Sequence, residues 1–177
     1  MKNQGLHKMV QASLIAALYA ALTLAVAPIA FGAVQFRISE LLTVLPLFTA
    51  TAIPGLTLGC ALANFVGFLL GINGIGIFDV FFGTAATLLA SLVTYWIGKQ
   101  SEKPLIRSIF GPLPPVLFNA FIVGAELTIL FAPSFTWPLY WLNFGSVLVG
   151  ELVICYLLGV PLILLLNRKQ FYRKIFG

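Results

Sequence analysis

Charge is what this chain has least of: Lys, Arg, Asp and Glu make up 8% of its 177 residues, while 60% are hydrophobic. At a mean hydropathy of +1.05 the chain holds more apolar surface than one soluble core can hide, so it needs lipid. There is one histidine, His7, in the N-terminal tail, which leaves serine–histidine and zinc hydrolase chemistry without a base or a ligand set. A single aspartate, Asp79, cannot form an aspartyl dyad. No Walker A pattern occurs, and the glycines from Gly71 to Gly76 lack the strand and helix that would make them a dinucleotide loop. The two cysteines, Cys60 and Cys155, lie in separate apolar runs with no second ligand nearby, so neither a disulfide nor a metal site is indicated. These absences lead us to expect no catalytic residues, no metal and no resident cofactor. The chain binds rather than reacts.

What is present is a series of apolar runs long enough to cross a bilayer, which takes about 20 residues per helix. Hydropathy with Pro and Gly punctuation gives six segments in one all-α membrane domain spanning 1–177: about 8–27, 38–53, 55–72, 77–98, 113–132 and 138–166. The first is too long for a signal-peptide core of about 7 to 15 residues and is kept as a spanning helix. The second is short and contains Pro46. It is expected to be kinked or broken, and therefore interior, where neighbouring protein satisfies the freed backbone groups.

Nine of the ten basic residues fall in three clusters: Lys2 and Lys8; Lys99, Lys103 and Arg107; Arg168, Lys169, Arg173 and Lys174. Six spans put all three on one side, which the positive-inside rule makes cytoplasmic; Arg37 is alone on the other. The pI of about 9.5 thus reflects topology and anionic headgroups rather than nucleic-acid binding. Small residues repeat at helix-packing spacing in two segments. One row is Ala12, Ala16 and Ala20, beside Ala17, Ala21 and Ala25; the other is Gly55, Gly59, Ala63, Gly67 and Gly71. The glycine row reads as packing within the bundle, whereas the first-segment alanines read as either packing or a face for a partner.

Ionisable residues inside a membrane are costly and usually functional. They are Glu40, Asp79, Glu126 and Glu151, accompanied by Asn64, Asn119 and Asn143. At 1.5 Å per residue Glu126 is about 9 Å and Asn64 about 12 Å from the outer ends of their segments, while Glu151 is about 20 Å down. Most of the polarity therefore sits in the outer half, which suits a pocket open outward better than a pore. Arg37 and Glu40, three apart, could form a local ion pair, and Asp79 could cap its helix. A deep carboxyl group without a cation favours its protonated form, making Glu126 and Glu151 candidate hydrogen-bond donors or proton carriers. Four carboxyl groups against one Arg37 make a region that prefers cationic or donor-rich solutes. Phe36, Phe78, Trp137, Tyr140 and Trp141 near the outer mouth could stack on a planar ring or form an interfacial belt.

Three stretches carry a specific resemblance: Gly32 to Pro46, with Val34-Gln35-Phe36-Arg37-Ile38-Ser39-Glu40 at its centre; Pro54 to Asn64; and Asp79 to Ala90. Together they resemble the QueT family, the substrate-binding S-components of energy-coupling factor (ECF) transporters assigned to queuosine precursors. The resemblance implies a six-helix S-component bundle in a bacterial plasma membrane. It would capture a 7-deazaguanine such as preQ1, preQ0 or queuine from outside and deliver it by toppling onto a coupling protein with two ATP-binding-cassette ATPases. The partners would use the ATP. The family's docking pattern of alanines every fourth residue implies Ala12, Ala16 and Ala20 as the partner face, and the ligand implies a site drawn from Arg37, Glu40, Asn64, Asp79, Glu126, Asn143 and Glu151 with Phe36 or Trp141 stacking. Two alternatives are an S-component for another planar vitamin or base and a stand-alone proton-coupled transporter.

Overall fold

The computed structural model describes residues 4–32, 34–168 and 171–176, with the backbone alone at Lys174. Lys2 and Lys169, two of the basic residues used to orient the chain, lie outside the described residues. Among the described residues all regular structure is helical. Five helical stretches are long and apolar enough to cross a membrane: Gln4–Ala25, Ala52–Leu69, Phe78–Gln100, Pro104–Phe131 and Trp137–Asn167. We label the elements α1 (Gln4–Ala25), α2 (Ala27–Ala30), η1 (Ile38–Leu47, a 3₁₀ helix), α3 (Ala52–Leu69), α4 (Phe78–Gln100), α5 (Pro104–Phe110), α6 (Leu113–Phe131), α7 (Trp137–Leu157), α8 (Gly159–Asn167) and α9 (Phe171–Phe176). Large apolar side chains such as Leu14, Leu62, Phe81, Trp96, Ile129 and Leu142 face outward. Polar groups such as Glu40, Asn64, Asp79 and Glu126 are buried. That inversion of the soluble pattern suits a lipid surround, where the backbone must satisfy itself through helices.

The short apolar segment with Pro46 forms η1, and all but Ile38 and Leu41 of its residues are buried. A 3₁₀ helix rises about 2.0 Å per residue, so these ten residues cover about 20 Å, where an α-helix would cover about 15 Å. Pro46 lacks the N–H that an interior helical bond would use, and its fixed φ is compatible with this tighter winding. η1 packs against α1, α3, α4, α7 and α8 and runs alongside α4. At one end Arg37 meets Asp79 near the start of α4. At the other, a Cβ on Gly98 would meet the Leu47 backbone, so the absence of a side chain there is what lets the two elements touch.

The sixth segment, read as one run over 138–166, is interrupted at Leu158 into α7 and α8. Pro161 cannot donate to the carbonyl one turn back, which removes a ladder bond where the helix breaks. A second difference is the short helix α5, whose Arg107 donates to the carbonyls of Gly98 at 3.1 Å and Ser101 at 2.9 Å and to Asn167 Oδ1 at 3.4 Å. Gln11 near the start of α1 donates to the carbonyl of Ile175 in α9 at 3.0 Å. The beginning of the chain, the α4–α5 connection and the C-terminal helix thus gather at one end of the bundle.

The glycine row of α3 does pack inside the bundle, and its partner is α1. A Cβ at Gly55 would lie 2.9 Å from the Ala12 carbonyl oxygen and from Ile15 Cβ; one at Gly59 would lie 2.8 Å from Tyr19 Cβ and 3.0 Å from Ala16 Cα. This corrects the reading of Ala12, Ala16 and Ala20 as a free docking row. Ala16 is buried against α3, and Ala12 and Ala20 are half-buried, because small residues on both helices let the backbones close together. The neighbouring alanines, Ala17, Ala21 and Ala25, are the exposed ones.

Replacing Gly59 with Ala should therefore force α1 from α3 and destabilise the protein by about 1–3 kcal/mol. Ala17→Ile, on the exposed row, should stay within about 0.5 kcal/mol of the parent. Thermal unfolding of the two variants in detergent checks both.

Candidate functional site

Two side-chain bonds fasten η1 to α1 and thereby fix where its polar residues point. Thr23 Oγ1 and Ser39 Oγ are 2.6 Å apart, and the Tyr19 hydroxyl donates to Glu40 Oε1. Thr23 also returns a bond to the Tyr19 carbonyl at 3.0 Å. Arg37, one residue before η1 in extended conformation, leaves the backbone in another direction from Glu40. Its guanidinium donates to Asp79 Oδ2 at 2.6 Å, with the two side chains 4% and 0% exposed, and to the Ala30 carbonyl at 3.4 Å. The Phe31 ring covers it, 5.2 Å from centroid to guanidinium carbon.

The local Arg37–Glu40 pair expected from their spacing does not form, since Glu40 turns to α1 and Arg37 to α4. Nor does Asp79 cap its helix: Ile77 holds the cap position without a side-chain bond. Asp79 Oδ2 instead accepts from both Arg37 and Asn73 Nδ2, the latter at 2.9 Å, and Asn73 Oδ1 accepts from the Ile75 backbone N–H at 3.0 Å. The connection from α3 to α4 is thereby tied down, with Gly71 and Gly76 at φ of 68° and 80° turning the chain where a side chain would be strained.

An upper group of buried polar atoms accompanies this pair. Asn64 Nδ2 donates to the Asp79 carbonyl at 2.8 Å, across a gap that only Gly83 leaves open: a Cβ there would sit 2.6 Å from Asp79 Oδ1 and 2.8 Å from Asn64 Nδ2. Buried and without a hydrogen-bond partner are Asp79 Oδ1, Asn64 Oδ1, Gln35 Nε2 and both carboxyl oxygens of Glu126. Glu126 is 1% exposed. Leaving such atoms unpaired costs about 1–3 kcal/mol each, more when charged, so a solute that pairs them would gain from doing so.

A lower group is reached from Asn119, which lies on the same face of α6 as Glu126, seven residues or about 10 Å deeper. Asn119 Nδ2 donates to Glu151 Oε1 at 3.0 Å, and Cys155 Sγ lies 3.4 Å from Glu151 Oε2 and 3.8 Å from the Glu40 carbonyl. Glu40 Oε2 is buried there without a partner. Thr43 Oγ1 closes the turn onto the Glu40 carbonyl at 2.5 Å.

Of the residues read from the sequence, Arg37, Glu40, Asn64, Asp79, Glu126 and Glu151 are therefore all buried polar groups of the interior. Asn143 is half-buried between α6 and α7, donating to Thr128 Oγ1 at 2.9 Å, and Phe36 is half-buried. Trp141 is 53% exposed, in an aromatic group with Tyr140 and Phe144 at 5.0 and 5.4 Å, and points out of the bundle. Tyr19 and Asn73 were missed. Tyr19 is the one tyrosine in the Ala-rich α1, and Asn73 sits in an outer connection without charge; neither carries a signal until η1 and α4 are brought beside them.

Compared with known proteins, the chain matches the family model described as QueT transporter over residues 9–168. It is 26% identical over 163 residues to the queuosine precursor transporter QueT of Lactococcus lactis subsp. cremoris (strain MG1363), covering 87% of this chain and 94% of that one. No solved structure matches it.

Removing one member of the buried pair leaves the other charge uncompensated. Arg37→Met should cost about 3–5 kcal/mol, and adding Asp79→Leu should recover a large part of it. Unfolding midpoints of the single and double variants measure the difference; equal losses in both would argue against the pair.

Proposed function

The chain belongs to the QueT transporter family, and from that premise we propose that it is the membrane-embedded S-component of an ECF importer, capturing a 7-deazaguanine queuosine precursor from outside. Transport, a multi-pass membrane setting and the family follow from the helices and the match; the precursor, the ECF role and the site are our reading. The observation that carries the reading is Glu126, whose two buried oxygens are both unpartnered. A carboxylate with both acceptor oxygens unclaimed suits two parallel N–H donors, as it would a guanidinium. The ring N–H and exocyclic amine of a guanine-like base are such a pair. Asn64 Oδ1, Asp79 Oδ1 and Gln35 Nε2 then serve the remaining edges, with Phe36 for stacking, Asn143 at the rim, and Arg37 holding Asp79 in position.

Six crossings are part of the proposal, with η1 and its flanking residues as the second. In support, Arg37 touches Asp79 while Leu47 lies against Gly98, about 28 Å further along α4 at 1.5 Å per residue. Lys8, Lys99, Lys103, Arg107, Arg168 and Arg173 belong to the end where α1 begins and α9 lies. That end is assigned to the cytoplasm of a bacterial cell, with both termini there. Docking on a coupling protein is assigned to the exposed alanines Ala17, Ala21 and Ala25 of α1, with ATP hydrolysed by two partner ATPases and no cofactor in this subunit.

Calorimetric titration of the purified chain in detergent with preQ1, preQ0, queuine and guanine tests the reading. We expect tight binding of a deazaguanine, a loss of at least about 100-fold in Glu126→Gln and Asn64→Ala with little change in unfolding midpoint, and uptake in cells that requires the ATPases. A folded chain that binds none of these bases, or normal affinity in both variants, would overturn it. Uptake that survives loss of the ATPases would point to a stand-alone carrier.

A further inference from the structure

The lower group, which reading the base edge does not require, holds two carboxyl groups and no cation of its own. Glu40 and Glu151 are 1% and 3% exposed, and among the described residues neither is ion-paired to a lysine, arginine or histidine. Among the described residues their direct help is from neutral donors, Tyr19, Asn119 and the Cys155 thiol. The Arg37 guanidinium is spent on Asp79 and the Ala30 carbonyl. Glu40 Oε2 remains buried without a partner. Buried carboxylates are ordinarily paired, so in their ionised form these two call for a cation.

Geometry says where such a cation would come from. Asn119, bonded to Glu151, and Glu126 lie on one face of α6 about 10 Å apart. That separation is of the order of a planar bicyclic base with a short arm on the edge opposite its paired donors. We propose that Glu40 and Glu151 form a second recognition station, which takes an ammonium group on the arm of the ligand whose base edge is read by Glu126. The inference rests on the reading of the upper group and adds a substrate class: a cationic, two-headed base is preferred over a neutral one of the same ring. Tyr19 and Asn119 act as positioning residues that aim the two carboxyl groups, and through Tyr19 the station is tied to α1.

The probes are preQ1 and preQ0, which share a ring and differ in carrying an aminomethyl or a nitrile arm. Affinities are measured by calorimetry for the full chain, Glu151→Gln, Glu40→Gln and Glu126→Gln, each first checked for an unchanged unfolding midpoint. The parent should bind preQ1 at least tenfold more tightly than preQ0. Glu151→Gln should reduce that preference to within about twofold by weakening preQ1 alone, and Glu40→Gln should do the same. Should Glu40→Gln fail to fold, Glu151→Gln decides. A preQ1 preference that persists in Glu151→Gln, or a parent that binds both equally, overturns the second station while leaving the upper site intact if Glu126→Gln still weakens both. Failure of the parent to bind either base would instead remove the reading on which the station rests.

Discussion

A guanidinium and a carboxylate taken out of water each carry a penalty of several kcal/mol, and the interior of this bundle tolerates Arg37 and Asp79 because they meet at 2.6 Å. That meeting organises what surrounds it. Arg37 enters from the chain leading into η1 and Asp79 from the start of α4. Asn73 ties the α3–α4 connection to the same oxygen, and Asn64 brings α3 to the Asp79 backbone. α3 is thus joined to α4 at the carbonyl of one residue, and the stretch before η1 and the α3–α4 connection at the carboxylate of the same residue. Because its second oxygen is left over, and Glu126 stands nearby with two more, the pair both stabilises the fold and leaves an acceptor-rich surface behind it.

The remaining architecture brings that surface within reach of the apolar scaffold. Lipid offers no hydrophobic drive between helices, so close contact depends on small residues. α1 and α3 approach through Ala12, Ala16, Gly55 and Gly59, and α4 admits the Leu47 backbone at Gly98. A Cβ at Gly150 would run into the Gln35 backbone, which shows how closely the extended stretch before η1 lies on α7. The same close packing keeps Tyr19 against α3 and sends its hydroxyl to Glu40, so α1 is in mechanical contact with the lower polar group as well as presenting an exposed alanine row to its surroundings.

Hydropathy alone made the helical class and the long spans legible, since runs of apolar residues broken by Pro and Gly leave few other folds. Proline was legible in part. Pro46 flagged an unusual, interior second segment, but the tighter 3₁₀ winding that lets ten residues lie along α4 depends on neighbours that no local pattern names. The buried carboxyl groups and amides were legible because such residues are rare in apolar runs. Their partners were not. Sequence spacing suggested Arg37 with Glu40, whereas a long-range contact across 42 residues pairs Arg37 with Asp79 and frees Glu40 for Tyr19. The alanine row misled for a related reason: spacing reports that a face is smooth, while only the fold reports that Gly55 and Gly59 cover it.

The central claim is that Glu126 is the acceptor for the donor edge of a guanine-like base, inside a cluster held by Arg37 and Asp79. An experimental structure of the chain bound to preQ1 tests it most directly. The account predicts the base between α3, α4 and α6, with its ring N–H and exocyclic amine each within hydrogen-bonding distance of a Glu126 oxygen and the Arg37–Asp79 pair intact. A ligand lodged elsewhere, or one that leaves both Glu126 oxygens without a donor, would contradict it.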